Sequence, residues 1–281
     1  MPDAVGIVCH PRIDIGGPPV MEARRRLEGR GFRVWTYCAT AEERPGALAG
    51  DLNGTRLIVS VGGDGTLLWT AQQAAAAHIP VLGVNAGRLG FLTQVQLGDE
   101  GKALDRWAAG DFKLQRRALL EARVGERVFN ALNDVVVHKG SEINLIRIES
   151  LVDDQPAGQF DADGVIVSTP TGSTGYALSL GGPIVHPDVQ AITFMPLNPH
   201  SLFNRPIVLP EQARITLRLP SASAILTCDG QQNADLAPGA EVRIAAPGLA
   251  VELVQFDRGP NFFELLRRKL RWGLPLVDGD E

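Results

Sequence analysis

The chain has 281 residues, 44% of them hydrophobic and 21% charged, with a formal net charge of -5. That balance excludes fibrous and disordered classes and leaves room for two globular domains. It also argues against broad binding to nucleic acid or anionic membrane, which needs a clustered cationic surface.

Val5-Gly6-Ile7-Val8 begins almost at the N-terminus, too early for a signal peptide, and no stretch reaches the ~20 apolar residues of a membrane span. Cys9, Cys38 and Cys228 are an odd number without CxxC or Cys/His spacing, which argues against a disulfide framework or a zinc site. A soluble protein of the reducing cytoplasm is expected.

Apolar runs and helical patterns alternate through the first part: Val5–His10, Met21–Gly29, Arg33–Tyr37, Leu57–Val61, Thr66–His78 and Val81–Asn85. This predicts βα units around a parallel sheet, a Rossmann-like α/β domain over residues 1–110.

Within that domain, Gly62-Gly63-Asp64-Gly65-Thr66 joins an apolar strand to an Ala-rich helix. Glycines after a strand let backbone N–H groups approach an anion, and a helix N-terminus favours phosphate, so Asp64 works against the local field. The loop has neither the Walker lysine nor GxGxxG spacing. Two readings stand: Asp64 caps the helix, or it is a general base for a substrate hydroxyl while the amides around Gly63, Gly65 and Thr66 hold phosphate.

After about Asp111 the pattern changes to short β runs, among them Leu119–Val124, Val128–Val137, Ile146–Val152, Gly164–Ser168, Ile215–Leu219 and Val242–Ala245. They predict a β-sandwich-like domain over 111–250. The two halves are expected to pack together, as ligand sites favour such interfaces. Asn133-Asp134 interrupts one of these runs, either as a bulge or as paired polar groups for a ribose or a base. In Asp161–Tyr176, a strand ends in a hydroxyl-rich loop. Thr171, Ser173 and Thr174 either satisfy turns or, with Gly175, form a polar cradle beside a stacking ring at Tyr176. Asp163, just before the strand, is placed to accept a hydrogen bond from a ligand. Phe262–Trp272 reads as an amphipathic terminal helix docking on the protein's own core.

The motifs Gly62–Thr66, Asn85–Leu92, Asn133-Asp134, Asp163-Gly164, Ser168–Tyr176, Gly181-Gly182-Pro183 and Pro199–Leu202 fall in the order that resembles the NAD kinases. The likeness spans about residues 5 to 273. The glycine loop alone is shared with lipid kinases and resembles the phosphofructokinase loop; the joint presence of the others makes the resemblance specific.

The resemblance implies transfer of phosphate from ATP, with Mg²⁺ or another divalent cation, to the 2′-hydroxyl of the adenosine ribose of NAD, giving NADP. It makes Asp64 the proton acceptor, with Gly65 beside the dinucleotide and Phe91 lining the adenine side. Asn133, Asp134, Asp163 and the segment Thr174–Ser179 would hold the acceptor, and Gln231 is a further contact. A final segment, 251–281, would return to the first domain, and a homodimer or homotetramer is implied. No dedicated metal-ligand cluster is expected, because magnesium commonly bridges the donor phosphates.

Two positions depart from the pattern. Trp69 and Asp161 stand where many relatives have basic residues, although Asp161 stays among the candidate contacts. Neighbours such as Arg88 or Arg205 compensate, or these positions vary without consequence, or donor choice, including polyphosphate, or the preference between NAD and NADH is altered. The rival classes are a lipid kinase of the diacylglycerol kinase type and a non-catalytic dinucleotide-binding regulator.

Overall fold

The computed structural model describes residues 3–39, 48, 52–87, 90–141, 144–201, 204–257 and 259–273. Arg88, Leu89 and Leu202 lie outside them. Backbone contacts divide the chain into two units: Met1–Thr70, Ile79–Gln115 and Leu253–Glu281 form one, Ala71–His78 and Arg116–Glu252 the other.

The first stretch contains β1 (Ala4–Cys9), α1 (Pro18–Glu28), β2 (Arg33–Cys38), β3 (Thr55–Gly62), α2 (Asp64–Ala75), β4 (Val81–Asn85), β5 (Val95–Gln96), α3 (Glu100–Ala108) and β6 (Lys113–Ala118). The second contains β7 (Leu120–Val124), β8 (Arg127–Ala131), β9 (Asp134–His138), β10 (Ile146–Val152), β11 (Gln155–Ala162), β12 (Gly164–Ser168), a 3₁₀ turn Gly172–Thr174 and α4 (Tyr176–Ser179). It continues through β13 (Ala191–Leu197), β14 (Ile207–Pro210), β15 (Ile215–Arg218), β16 (Ala224–Cys228), β17 (Gln232–Leu236), β18 (Glu241–Ala245), β19 (Ala250–Gln255) and α5 (Phe262–Leu270).

In the first unit the strand order is β2-β1-β3-β4-β19-β6, with β5 beside β4. The pairs around β1, β3 and β4 are parallel, with Gly6 opposite Ile58 and Ile58 opposite Val81. Every residue of β1 and β4 is buried, which explains why both read as continuous apolar runs rather than alternating ones. Val20, Ala23 and Leu27 of α1 and Leu104 of α3 close over Val5, Ile7, Val59 and Leu82. Each buried Val, Leu or Ile among them contributes about 1.5–3 kcal/mol. The sheet therefore holds the end of β3 firmly, and Gly63 alone links it to α2.

The second unit is a sandwich of two six-stranded sheets, ordered β11-β10-β15-β18-β7-β8 and β14-β13-β12-β9-β16-β17. The pairs within each are antiparallel. Leu120, Phe129, Val135, Val165, Phe194 and Leu217 fill the space between them. Ala177 and Leu180 cover the far side of β9, β12 and β13 at Val136, Ile166 and Met195, so these strands are buried on both faces.

The apolar run Val128–Val137 is two strands in different sheets, β8 and β9, with Leu132-Asn133 as the crossing. At the chain's end α5 starts with a capping box, Glu264 N–H to Asn261 Oδ1 at 2.9 Å and Asn261 N–H to Glu264 Oε2 at 3.1 Å. The helix buries Leu265 and Leu266 and leaves Phe263, Leu270 and Trp272 exposed, a narrower docked face than its periodicity suggests.

Candidate active site

Asp64 is the first residue of α2, and the cap position falls to Gly63, whose carbonyl accepts the N–H groups of Thr66 (3.1 Å) and Leu67 (3.2 Å). The Asp64 carboxylate turns away from its own helix. Oδ2 accepts the backbone N–H of Phe91 at 2.8 Å, and Oδ1 that of Leu92 at 3.2 Å. Two amide donors fix its position and leave it lone pairs to spare. Gly63 and Gly65 are exposed, and a Cβ at either would meet nothing within 4 Å. Thr66 is buried, its Oγ1 without a hydrogen-bond partner. The Phe91 ring lies under Lys269 Nζ, 4.6 Å from its centroid.

In the second unit, Asn133 and Asp134 stand at the crossing between sheets. Asp229 fixes them: its carboxylate accepts the N–H groups of Leu132 (2.8 Å), Asn133 (2.7 Å) and Asp134 (3.1 Å), and Gln72 Nε2 (2.7 Å). Asp229-Gly230 forms the β16–β17 turn, with positive φ at both residues, 52° and 67°. Sequence reading missed Asp229 as an organiser, although the Asp-Gly pair between β runs marks the turn. Asp134 is 5% exposed, and burial, aided by the charge of Asp229, pushes its carboxyl up to about 7. Burial also raises Asp229, while its four donors pull it back down.

A cleft of about 540 Å³ opens beside this crossing, lined by Asn133, Asp134, Lys139, Asp163, Tyr176 and Asn198 among others. Asp163 accepts from Lys139 Nζ (2.7 Å) and Asn198 Nδ2 (3.0 Å), and the Lys139 bond foremost holds its carboxyl below the usual range. Tyr176 is 50% exposed at the rim. An apolar wall carrying a few fixed polar groups and one aromatic ring suits a flat heterocycle joined to a hydroxylated sugar.

Residues 132–256 match the ATP-NAD kinase C-terminal domain, and residues 21–112 the ATP-NAD kinase N-terminal domain. The chain belongs to the ATP-NAD kinase family. The NAD kinase of Heliobacterium modesticaldum is 45% identical over 224 residues, 77% of this chain and 79% of the relative. That of Azoarcus sp. (strain BH72) is 42% identical over 266 residues, 90% of each. Among solved structures, an NAD kinase from Archaeoglobus fulgidus in complex with ATP superposes with a TM-score of 0.74 at 25% identity, covering 95% of this chain and 98% of that one. Yeast NADH kinase complexed with NADH gives 0.83 at 24% identity, covering 100% and 91%, and speaks to the fold alone.

The other candidate residues of this kinase family member are placed differently. Thr171 is buried, its Oγ1 accepting from Arg117 Nη1 at 3.2 Å. Ser173 Oγ donates to Pro170 O (2.7 Å) and accepts from Val185 N (3.0 Å), and Thr174 Oγ1 donates to Thr171 O (3.2 Å). These hydroxyls build the turn itself. Gly172 lets the turn lie against Asn133: a Cβ there would fall 2.6 Å from the Asn133 carbonyl carbon, whereas one on Gly175 would lie 3.4 Å from its Nδ2, an ordinary contact. Ser179 is exposed at the end of α4 and outside the cleft lining, and Gln231 N–H closes the β16–β17 turn on Cys228 O at 3.0 Å.

Of the two positions that depart from the kinase pattern, Trp69 is buried and stacked on Tyr37, ring centroids 5.6 Å apart. Asp161 is exposed, outside the cleft lining, and gripped by Arg147 through two bonds of 2.8 and 2.9 Å that hold its carboxyl low. Arg147 thus sets a guanidinium directly across the strand pair from Asp161. Arg205 is described, its Nη1 bonded to the carbonyl of Asn204 at 2.9 Å. Among the described residues, no three His, Cys, Asp or Glu side chains converge to hold a metal, and no helix is long and apolar enough to cross a membrane.

Proposed function

We propose that this protein transfers the terminal phosphate of ATP to the 2′-hydroxyl of the adenosine ribose of NAD, forming NADP. The observation that carries the reading is the Asp64 carboxylate, seated on two backbone amides at an open glycine loop. The polar groups of the cleft in the second unit support the same reading, as contacts for a dinucleotide.

Phosphoryl transfer asks chiefly for alignment and charge neutralisation. Asp64 accepts the proton of the ribose hydroxyl, and phosphate lies against the exposed glycines Gly63 and Gly65. Asn133, Asp134, Asp163 and Tyr176 hold the dinucleotide, Tyr176 by stacking. A divalent cation would come bound to the ATP phosphates, where it would neutralise their charge.

The family assignment sets aside the lipid-kinase reading, and an intact Asp64 argues against a non-catalytic regulator. The same proposal carries a cytoplasmic location, which three free cysteines suit, and a homodimer or homotetramer that light scattering measures. Incubation with NAD, ATP and Mg²⁺, followed by enzymatic detection of NADP, tests the function. NADP formation is expected. A protein that binds NAD and forms no NADP with ATP, other nucleoside triphosphates or polyphosphate contradicts it.

A further inference from the structure

We propose that Gly90 is a positioning residue for the transfer: its missing side chain is the space that seats the Asp64 carboxylate on the amides of Phe91 and Leu92. The inference rests on the reading of Asp64 as the base.

A Cβ built on Gly90 would overlap Asp64 Oδ1 and lie only 2.6 Å from Asp64 Cγ and from Thr93 Oγ1. Nothing closer than about 3 Å is tolerated between such atoms without displacement. The reason for glycine here is room. Gly90 is absent from the glycines with positive φ, unlike Gly98 at 101° or Gly110 at 77°, so an alanine would meet no backbone strain of that kind.

Relief by movement is restricted by the described neighbours. Gly90 is buried, and Thr93 is 1% exposed. The chain runs directly from Gly90 into the two amides that the carboxylate needs, so a shift of residues 90–92 breaks the bonds it would have to preserve. A turn of the Asp64 side chain breaks them as well. Alanine at 90 therefore unseats the carboxylate from its donors and leaves two amides unpaired, while the dinucleotide-holding groups of the second unit keep their contacts.

The test is a double-mutant cycle of Gly90→Ala in the wild-type and Asp64→Ala backgrounds, read by steady-state kinetics and thermal unfolding. In the wild type, Gly90→Ala is expected to lower kcat by ~10- to 100-fold, the cost of displacing a reacting group by about an ångström, with KM for NAD within about twofold. It should lower Tm by several degrees, whereas in Asp64→Ala, where only Thr93 Oγ1 still crowds the added methyl, the same change should lower Tm by less than half as much.

Wild-type kcat in Gly90→Ala overturns the proposal. So does an equal loss of Tm in both backgrounds, which would place the clash at Thr93 or the backbone. If Gly90→Ala does not fold alone but folds in the Asp64→Ala background, the proposal stands; if neither folds, it falls. Full turnover in Asp64→Asn would refute the base assignment separately, since the Tm cycle reports only whether Gly90 makes room for the carboxylate.

Discussion

The Asp64 carboxylate accepts the backbone N–H of Phe91 at 2.8 Å, a contact between residues 27 apart in sequence that ties the opening of α2 to the loop after β4. A carboxylate that caps its own helix is a local device. One held by a distant loop is positioned by the tertiary fold, which is what a group aimed at a substrate requires. Lys269, over the Phe91 ring, extends that support to the terminal helix.

The crossing at residues 132–134 should depend on Asp229. Asp229→Ala leaves three backbone N–H groups and the Gln72 amide without their acceptor, for an expected loss of roughly 2–4 kcal/mol in urea unfolding. Asp229→Asn, which keeps one acceptor oxygen, should lose less. KM for NAD should rise in both, because Asn133 and Asp134 are carried on that backbone.

Asp134 gives stability a pH dependence of known sign. Its carboxyl is raised from 3.8 to about 7 in the folded protein, so between these values the folded state holds a proton that the unfolded state has released. Its contribution is fully present below about pH 4 and is lost as pH rises towards 7, with a slope approaching ~1.4 kcal/mol per pH unit. Asp134→Asn should remove that slope in denaturant titrations from pH 4 to 8. The variant should gain stability relative to wild type as pH rises.

Tyr176 stands half-exposed at the rim of the cleft, so its truncation should separate binding from folding. Tyr176→Ala is expected to raise KM for NAD by roughly tenfold, the size of one lost base-stacking contact, with Tm nearly unchanged. Tyr176→Phe should stay close to wild type, since the ring carries the contact.

Much of the fold was legible because the buried strands advertise themselves. Val5–Val8 and Leu57–Val61 read as parallel strands since both their faces are covered, and Gly164–Ser168 emerged as β12 with the bounds expected from sequence. The candidate site was legible where a residue departs from the chemistry of its own loop, as Asp64 does. It was opaque where a role depends on distant partners. Nothing near Asp229 in sequence announces that its carboxylate collects the amides of 132–134, and nothing at Gly90 announces the carboxylate beside it. The hydroxyls of Ser173 and Thr174 could build a turn or grip a ligand, and only their hydrogen bonds show them building the turn. Trp69 stands where many relatives carry a basic residue, and only its packing on Tyr37 shows that its ring is core.

Asp64→Asn tests the central claim most directly, because it keeps the size of the side chain and one acceptor for the Phe91 and Leu92 amides while removing the base. With ATP and Mg²⁺ at saturation, kcat for NADP formation should fall by on the order of 10² or more, while NAD binding measured by calorimetry changes by less than about threefold. Turnover within a few-fold of wild type, in a variant that folds and binds NAD, would contradict the assignment of Asp64 as the base.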